Sequence, residues 1–312
     1  MKSINLVPTY SIVAYDAETG QLGVGVQSHY FGVGRVVPWA EYGVGAVATQ
    51  SFSEYSYGPL GLDLMRAGKT AQQTLDSLVA SDKLRDLRQV AMVDAKGNTA
   101  VHTGAKCIQG AGDKTGEGYS VQANLMLTET VWDAMAEAFE GAKGDLAERI
   151  LISMEAAEAE GGDIRGKQSV AMLVVSEDRT GSKSSAPLLR LHVEDHEEPL
   201  PEMRRLLNLH NAYQFQAKAS GLLEGDEVDD DKVKEANEIF AKSVNLLPPD
   251  KNPELVFWHA VSLVEAKRLD EALPLFKQVF EIDDKWRELV PRLVPSEVLP
   301  DDEDVIKKIT GV

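Results

Sequence analysis

Residues 9–28 read TYSIVAYDAETGQLGVGVQS. Apolar residues alternate along Thr9–Asp16, turn chemistry follows at Glu18–Thr19–Gly20–Gln21, and Leu22–Ser28 alternates once more. Successive side chains of a strand point to opposite faces, so a period of two on both sides of a glycine-bearing turn predicts an antiparallel hairpin. A hairpin at this position starts an antiparallel sheet.

Beyond it, Tyr42–Gln50 is a further strand after a break at Pro38, and residues 58–80 change to a helical period through Leu60, Leu64, Leu75, Leu78 and Val79. A second hairpin is expected at Arg88–Asp94 and Thr99–Thr103, with Lys96–Gly97–Asn98 as its turn. Gly110–Gly118 reads as a loop and Tyr119–Leu127 as a strand. Residues 129–160 carry Val131, Met135, Phe139, Leu146, Ile150, Leu151 and Met154, the spacing of two helices broken at Gly141–Gly144. Ser169–Ser176 and Leu188–Val193 are strands joined by a polar turn at Thr180–Ser185. Strands, helix, strands, helices, strands with hairpin connections fit two sheets with helical layers outside them, and not a parallel doubly wound sheet. The glycines Gly23, Gly25, Gly32, Gly34, Gly43 and Gly45 open no helix after a parallel strand, so they are read as places of close approach between layers and not as a nucleotide loop.

After Asp195 the composition shifts. His196–Glu198, Pro199 and Pro201 read as a linker between a domain of residues 9–196 and a helical, acidic module of residues 200–312. Ala236, Phe240 and Val244 recur 36 residues later as Ala272, Phe276 and Phe280, with Phe257, Trp258 and Leu263 in the helix between. This is the spacing of helix pairs in tetratricopeptide arrays. So few repeats need a surface to pack on, which points to the first domain, a protein partner or a second subunit in a homo-oligomer.

The 312 residues are 43% hydrophobic and 26% charged, the composition of a soluble globular protein. Fifty acidic against 32 basic residues give a formal net charge of −18, which repels nucleic acid and anionic lipid. Cys107 is alone, so an intrachain disulfide and a multi-cysteine metal site are excluded. No signal-like or membrane-spanning run is present, so a cytoplasmic location without membrane contact is expected, and no cofactor or metal. His192, Glu194, Asp195 and His196 have the residue types of metal ligands, but they run out of a strand into a proline-bearing segment and read as a solvated strand end.

The chemistry centres on Thr9. A hydroxyl on the first residue of a mature chain can be activated by its own α-amine and attack an amide carbonyl. Thr49–Gln50–Ser51, between a strand and the helix after Gly58, could supply donors to the developing oxyanion.

The strings TYSIVAYD, GVGVQSHYFGVG, YGVGAVATQSF, YGPLGLDLM, GYSVQANLM and GGDIRGKQSVAMLVV resemble the successive blocks of a prokaryotic family catalogued as domain of unknown function 1028 and assigned an N-terminal-nucleophile (Ntn) hydrolase fold. The tail, FWHAVSLVEAKRLDEALPLFKQVF followed by KWREL, is similar to a helical extension of some members. The resemblance implies an α+β protein whose first domain is a four-layer αββα sandwich, hydrolysis of a small amide, and often an oligomer. It implies Thr9 as nucleophile with Ser11 on the same strand face, Asp16, Ser28 and His29 at strand ends where such enzymes tune the nucleophile, and Asn124 as an oxyanion donor. Asp163, Arg165, Gln168 and Ser169 form a polar cluster in GGDIRGKQS, with the Asp163–Arg165 pair equally readable as a structural salt bridge.

One feature departs from that pattern. Eight residues precede Thr9, so removal of methionine alone does not free its amine. Either Pro8–Thr9 is cleaved, or the true start of the chain differs, or the protein does not use this mechanism; in the last case the alternative is a catalytically inactive Ntn-like scaffold that binds a small ligand or a protein partner.

Overall fold

The computed structural model describes residues 6–176, 188–225 and 228–312; the turn expected at Thr180–Ser185 lies outside these. The chain divides into two compact units, Met1–Arg205 and Leu206–Val312.

In the first unit the opening hairpin forms as β2 (Tyr10–Tyr15) and β3 (Leu22–Ser28), antiparallel with Ser11 opposite Val26 and Val13 opposite Val24. Its turn is closed by Asp16, whose Oδ1 accepts from the Glu18 amide at 2.9 Å while Gly20 takes φ 68°. Two antiparallel sheets are built around it. One contains β1 (Leu6–Val7), β5 (Gly45–Phe52), β6 (Arg88–Asp94) and β7 (Thr99–Thr103) in that order, with β4 (Pro38–Glu41) also on β5. The other runs β11 (Leu189–Val193), β10 (Ser169–Val175), β3, β2, β9 (Tyr119–Ala123), β8 (Gly112–Gly116).

Strand parity places the layers. Val13, Val24 and Val26 pack with Ala46, Ala48, Ala91 and Val93 in a core fed by both sheets. The opposite face of β3 carries Gly23 and Gly25 beneath α4 (Leu146–Ala159), where a Cβ on Gly25 would stand 2.4 Å from Ile150 Cγ2. These glycines therefore permit the close approach of helix to sheet. Helix α3 (Val131–Gly141) packs on β8 and β9, while α1 (Tyr57–Arg66) and α2 (Ala71–Ser81) pack on the first sheet.

The structure differs from the sequence reading at four glycine-linked or strained points. The loop expected at Gly110–Gly118 contains β8, a polar edge strand whose sequence GDKTG gives no apolar alternation but pairs with β9 around Gly118 at φ 73°. The run Tyr42–Gln50 is interrupted at Gly43, φ 64°, so that β4 precedes the break and β5 follows it. The helical stretch 58–80 is two helices, parted at Gly68 with φ 94° and restarted by a Thr70–Gln73 capping box. The strand expected to reach Leu127 ends at Ala123, just before Leu125 turns to φ 60°. The expected proline linker is also helical from Pro199, the start of α5 (Pro199–Leu222), because proline is tolerated in a first helical turn where its missing N–H has no partner to lose.

The second unit contains α6 (Asp230–Leu246), α7 (Glu254–Glu265), α8 (Leu269–Ile282), α9 (Lys285–Leu293) and α10 (Glu303–Thr310). Ala236 and Phe240 on α6 and their counterparts Ala272 and Phe276 on α8 are all buried in one core, and Phe257 of α7 meets the Phe276 ring edge-on at 5.5 Å. Among the described residues no helix is long and apolar enough to cross a membrane.

Candidate active site

The chain passes from the first sheet to the second at Pro8–Thr9, because Val7 pairs with Ser51 of β5 and Tyr10 pairs with Gln27 of β3 and Ala123 of β9. Thr9 is wholly buried there, and Val7 and Pro8 are buried with it. The Thr9 hydroxyl donates to the Val7 carbonyl at 2.8 Å, so the side chain is folded back toward the acyl side of its own peptide bond.

Two donors converge on the carbonyl oxygen of that bond. Ser28 Oγ donates to Pro8 O at 2.5 Å and Arg165 Nη2 at 3.1 Å. Arg165 is itself fixed by Asp163, whose carboxylate accepts from Arg165 Nε at 3.0 Å, Nη2 at 2.7 Å and the Arg165 amide at 3.0 Å. The Asp163 side chain has no exposed surface and also accepts from the His29 amide at 3.4 Å, which ties the GGDIRGKQS loop to the end of β3. A planar fork held on one edge by a carboxylate leaves its remaining N–H directed at a chosen oxygen.

The next carbonyl is held by different groups. Thr9 O accepts from the Asn124 amide at 3.0 Å, from Gln50 Nε2 at 3.2 Å and more distantly from Asn124 Nδ2 at 3.5 Å. Behind it, a polar network spans the gap between the sheets. Ser11 Oγ donates to Gln50 Oε1 at 2.6 Å and accepts from Gln122 Nε2 at 2.6 Å; Gln50 Nε2 and Asn124 Nδ2 both donate to Gln89 Oε1, at 2.8 and 2.9 Å. Gln89 Nε2 reaches Thr103 Oγ1 at 2.9 Å and Ala123 O at 2.8 Å. These buried amides, with only Asn124 Oδ1 left without a partner among the network's side-chain amide atoms in the described residues, rigidify the end of both sheets. Two non-glycine residues at φ 67° and 60°, Ser51 and Leu125, directly follow Gln50 and Asn124. Such conformations cost about 1–3 kcal/mol each and persist where the surroundings impose them.

Of the twelve residues singled out in the sequence, the structure gathers Thr9, Ser11, Ser28, Gln50, Asn124, Asp163 and Arg165 around these two carbonyls. Asp16 lies at the far end of β2, beside a cavity of about 490 Å³ lined by Tyr15, Glu18, Lys96, Glu117 and Arg149. Alternating strand geometry puts the two ends of a six-residue strand roughly 20 Å apart, out of reach of Thr9. His29 is exposed and contributes its backbone amide. Thr49 Oγ1 donates to Glu54 O, Gln168 Nε2 to Asp195 Oδ1, and Ser169 Oγ to Tyr30 O, so these three brace neighbouring loops.

Sequence reasoning missed Gln89 and Gln122. The available signal was a glutamine one place inside the end of a strand, in RQVAMVD and in YSVQA. Among the described residues no titratable side chain hydrogen-bonds the Thr9 hydroxyl. The adjacent Tyr10 phenol is no substitute base, since burial and then Glu158, its acceptor at 2.9 Å, push its pKa well above the usual value. Among the described residues, too, no group of three His, Cys, Asp or Glu side chains is placed to hold a metal ion.

Comparison with known proteins gives one family. The model described as a family of unknown function, DUF1028, matches residues 9–203. A crystal structure of a Silicibacter pomeroyi protein carrying the same family model is similar at 29% identity and a TM-score of 0.58, over 64% of this chain and 84% of that one. No match is found among curated proteins.

Proposed function

The chain belongs to DUF1028, a family of unknown function, and from its own geometry we propose that it is an Ntn-type amidohydrolase that frees its nucleophile, Thr9, by breaking the Pro8–Thr9 bond. The observation that carries this reading is the pair of donors, Ser28 Oγ and Arg165 Nη2, on the carbonyl oxygen of the bond to be cut. Negative charge develops on that oxygen when a hydroxyl adds to the carbonyl carbon, and donors already aimed at it lower the barrier. The order of α1 and α2, first sheet, second sheet, α3 and α4 is in keeping with the αββα arrangement of such enzymes.

The step balances without a co-reactant. Thr9 Oγ1 bonds to the Pro8 carbonyl carbon, the carbon–nitrogen bond breaks, and the hydroxyl proton goes to the departing Thr9 nitrogen. The product is an ester joined to a free amine; water then cleaves the ester to a Pro8 carboxylate and a Thr9 hydroxyl. The amide nitrogen had no useful basicity, whereas the new α-amine carries a lone pair and can take the hydroxyl proton in later turnovers. A small amide whose carbonyl enters the place left by Pro8 O meets the same two donors. Gln50 and Asn124, bonded to Thr9 O, act as positioning residues for the nucleophile.

Intact mass across a purification time course tests this reading. Wild-type protein and Thr9→Ser should lose residues 1–8 and Thr9→Val should keep them; an uncut wild-type chain overturns it. The second reading, an inactive scaffold that recognises a ligand or a protein through its helical unit, draws on the burial of Val7 and its pairing with β5, which favour retention of residues 6–8.

A further inference from the structure

Residues 6–8 occupy a defined slot, and their fit describes what could follow them into it. Leu6 and Val7 add antiparallel to β5 opposite Phe52 and Ser51. Val7 has no exposed surface and packs in the core that includes Val33 and Val37, while Leu6 is 38% exposed. Pro8 is buried and presents its carbonyl to Ser28 and Arg165. Reading outward from the bond to be cut, the slot takes an acyl carbonyl, then a small apolar side chain in a closed pocket, then a side chain that water still reaches.

We propose that this slot, once vacated, is the acyl-side binding site of the enzyme, and that its substrates are amides of short extended peptides ending in Leu-Val-Pro-like sequence. The inference rests on the self-cleaving reading above. Two features make it specific to a peptide. Pairing with β5 supplies main-chain hydrogen bonds to any extended backbone, while the buried pocket selects the alternate side chain, as in strand addition generally. The Ser51 backbone that offers the pairing is the one held at φ 67°, which fixes the register at this end of β5. The product of each turnover would be a peptide carboxylate facing the Arg165 guanidinium, an ion pair where the starting amide makes only a hydrogen bond from the cation to a neutral carbonyl. A product acid should thus bind more tightly than its neutral amide.

The test uses wild-type protein that has lost residues 1–8, dialysed free of the released peptide. It is titrated by calorimetry with acetyl-Leu-Val-Pro acid, the corresponding C-terminal amide, and acetyl-Leu-Asp-Pro acid. The expected result is binding of the first, at least tenfold weaker binding of the second, and no binding of the third; acetyl-Leu-Val-Pro anilide should release aniline. A matured protein that ignores all three peptides, or binds the Asp and Val peptides alike, overturns the inference and leaves the self-cleavage reading standing. A chain that never loses residues 1–8 overturns both.

Discussion

Arg165 lies 157 residues from Pro8 in the chain, and its Nη2 donates to the Pro8 carbonyl oxygen across 3.1 Å. Asp163, with no exposed side-chain surface, accepts from Nε and from one hydrogen of the same Nη2, which aims the second Nη2 hydrogen at Pro8 O. A donor so constrained acts on a reaction only if charge gathers on its acceptor. Arg165→Met should therefore slow loss of residues 1–8 by about 10²–10³-fold, the usual effect of deleting one oxyanion donor, with Ser28→Ala falling in the same range. Intact mass at timed intervals reads the rate, and unchanged scission in both variants would remove the donors from the mechanism.

Gln89 is the hub of the inter-sheet network, accepting from Gln50 and Asn124 and donating to Thr103 and Ala123. Gln89→Leu keeps the approximate volume but leaves buried partners unmatched, each costing about 1–3 kcal/mol. Urea unfolding should show a loss of at least about 2 kcal/mol. A variant as stable as wild type would mean that water or rearranged side chains satisfy the orphaned groups.

Gly25 sits under α4 with Ile150 Cγ2 and Met154 Sδ at 2.4 and 3.0 Å from an added Cβ. Gly25→Val should destabilise the first unit by about 1–3 kcal/mol through overpacking. The companion variant Gly68→Ala meets no atom within 4 Å, although its φ of 94° still strains it. Thermal melts of the two separate packing from backbone strain, and a Gly25→Val melting point equal to wild type would refute the close contact.

In the second unit His259 is buried, stacked on Phe240 at 4.0 Å, and its Nε2 pairs with Asn237 Oδ1 at 2.8 Å while Nδ1 has no partner among the described residues. Burial lowers its pKa from 6.5 to about 4. The unfolded chain thus takes up a proton below about pH 6.5 that the folded chain refuses until about pH 4. Its contribution is fully present above pH 6.5 and lost as pH falls through that window, by up to about 3 kcal/mol. His259→Phe should flatten the stability profile between pH 6.5 and 4, as measured by urea unfolding at several pH values. An identical slope in wild type and variant would assign the acid sensitivity to other groups.

The opening hairpin, the second hairpin and the paired helices were legible because their signals are local: alternation, turn chemistry and a 3.6-residue period. Strand β8 was not, since GDKTG is held by pairing and not by apolar side chains. Thr9, Arg165 and Asp163 could be singled out through a family resemblance, yet their relation to Pro8 was invisible, because it depends on a loop near residue 165 returning to the first strand crossing. Asp16 is expected at a strand end among the groups that tune Thr9, but that end is the far one, a strand's length from Thr9 in space. Gln50 is legible as a candidate, but its partners Gln89 and Gln122 are not, because a lone glutamine in a strand looks like a solvent-facing residue until the second sheet is laid over it.

The ladder between Leu6–Val7 and Phe52–Ser51 is only two rungs long, and β4 occupies the neighbouring stretch of the same edge. A long vacated edge would invite copies of the chain to stitch themselves into fibrils. A gap this short, hemmed in by an existing strand, admits the tip of a peptide and little else. Maturation would then leave the protein open to its ligand while remaining safe from polymerising with itself.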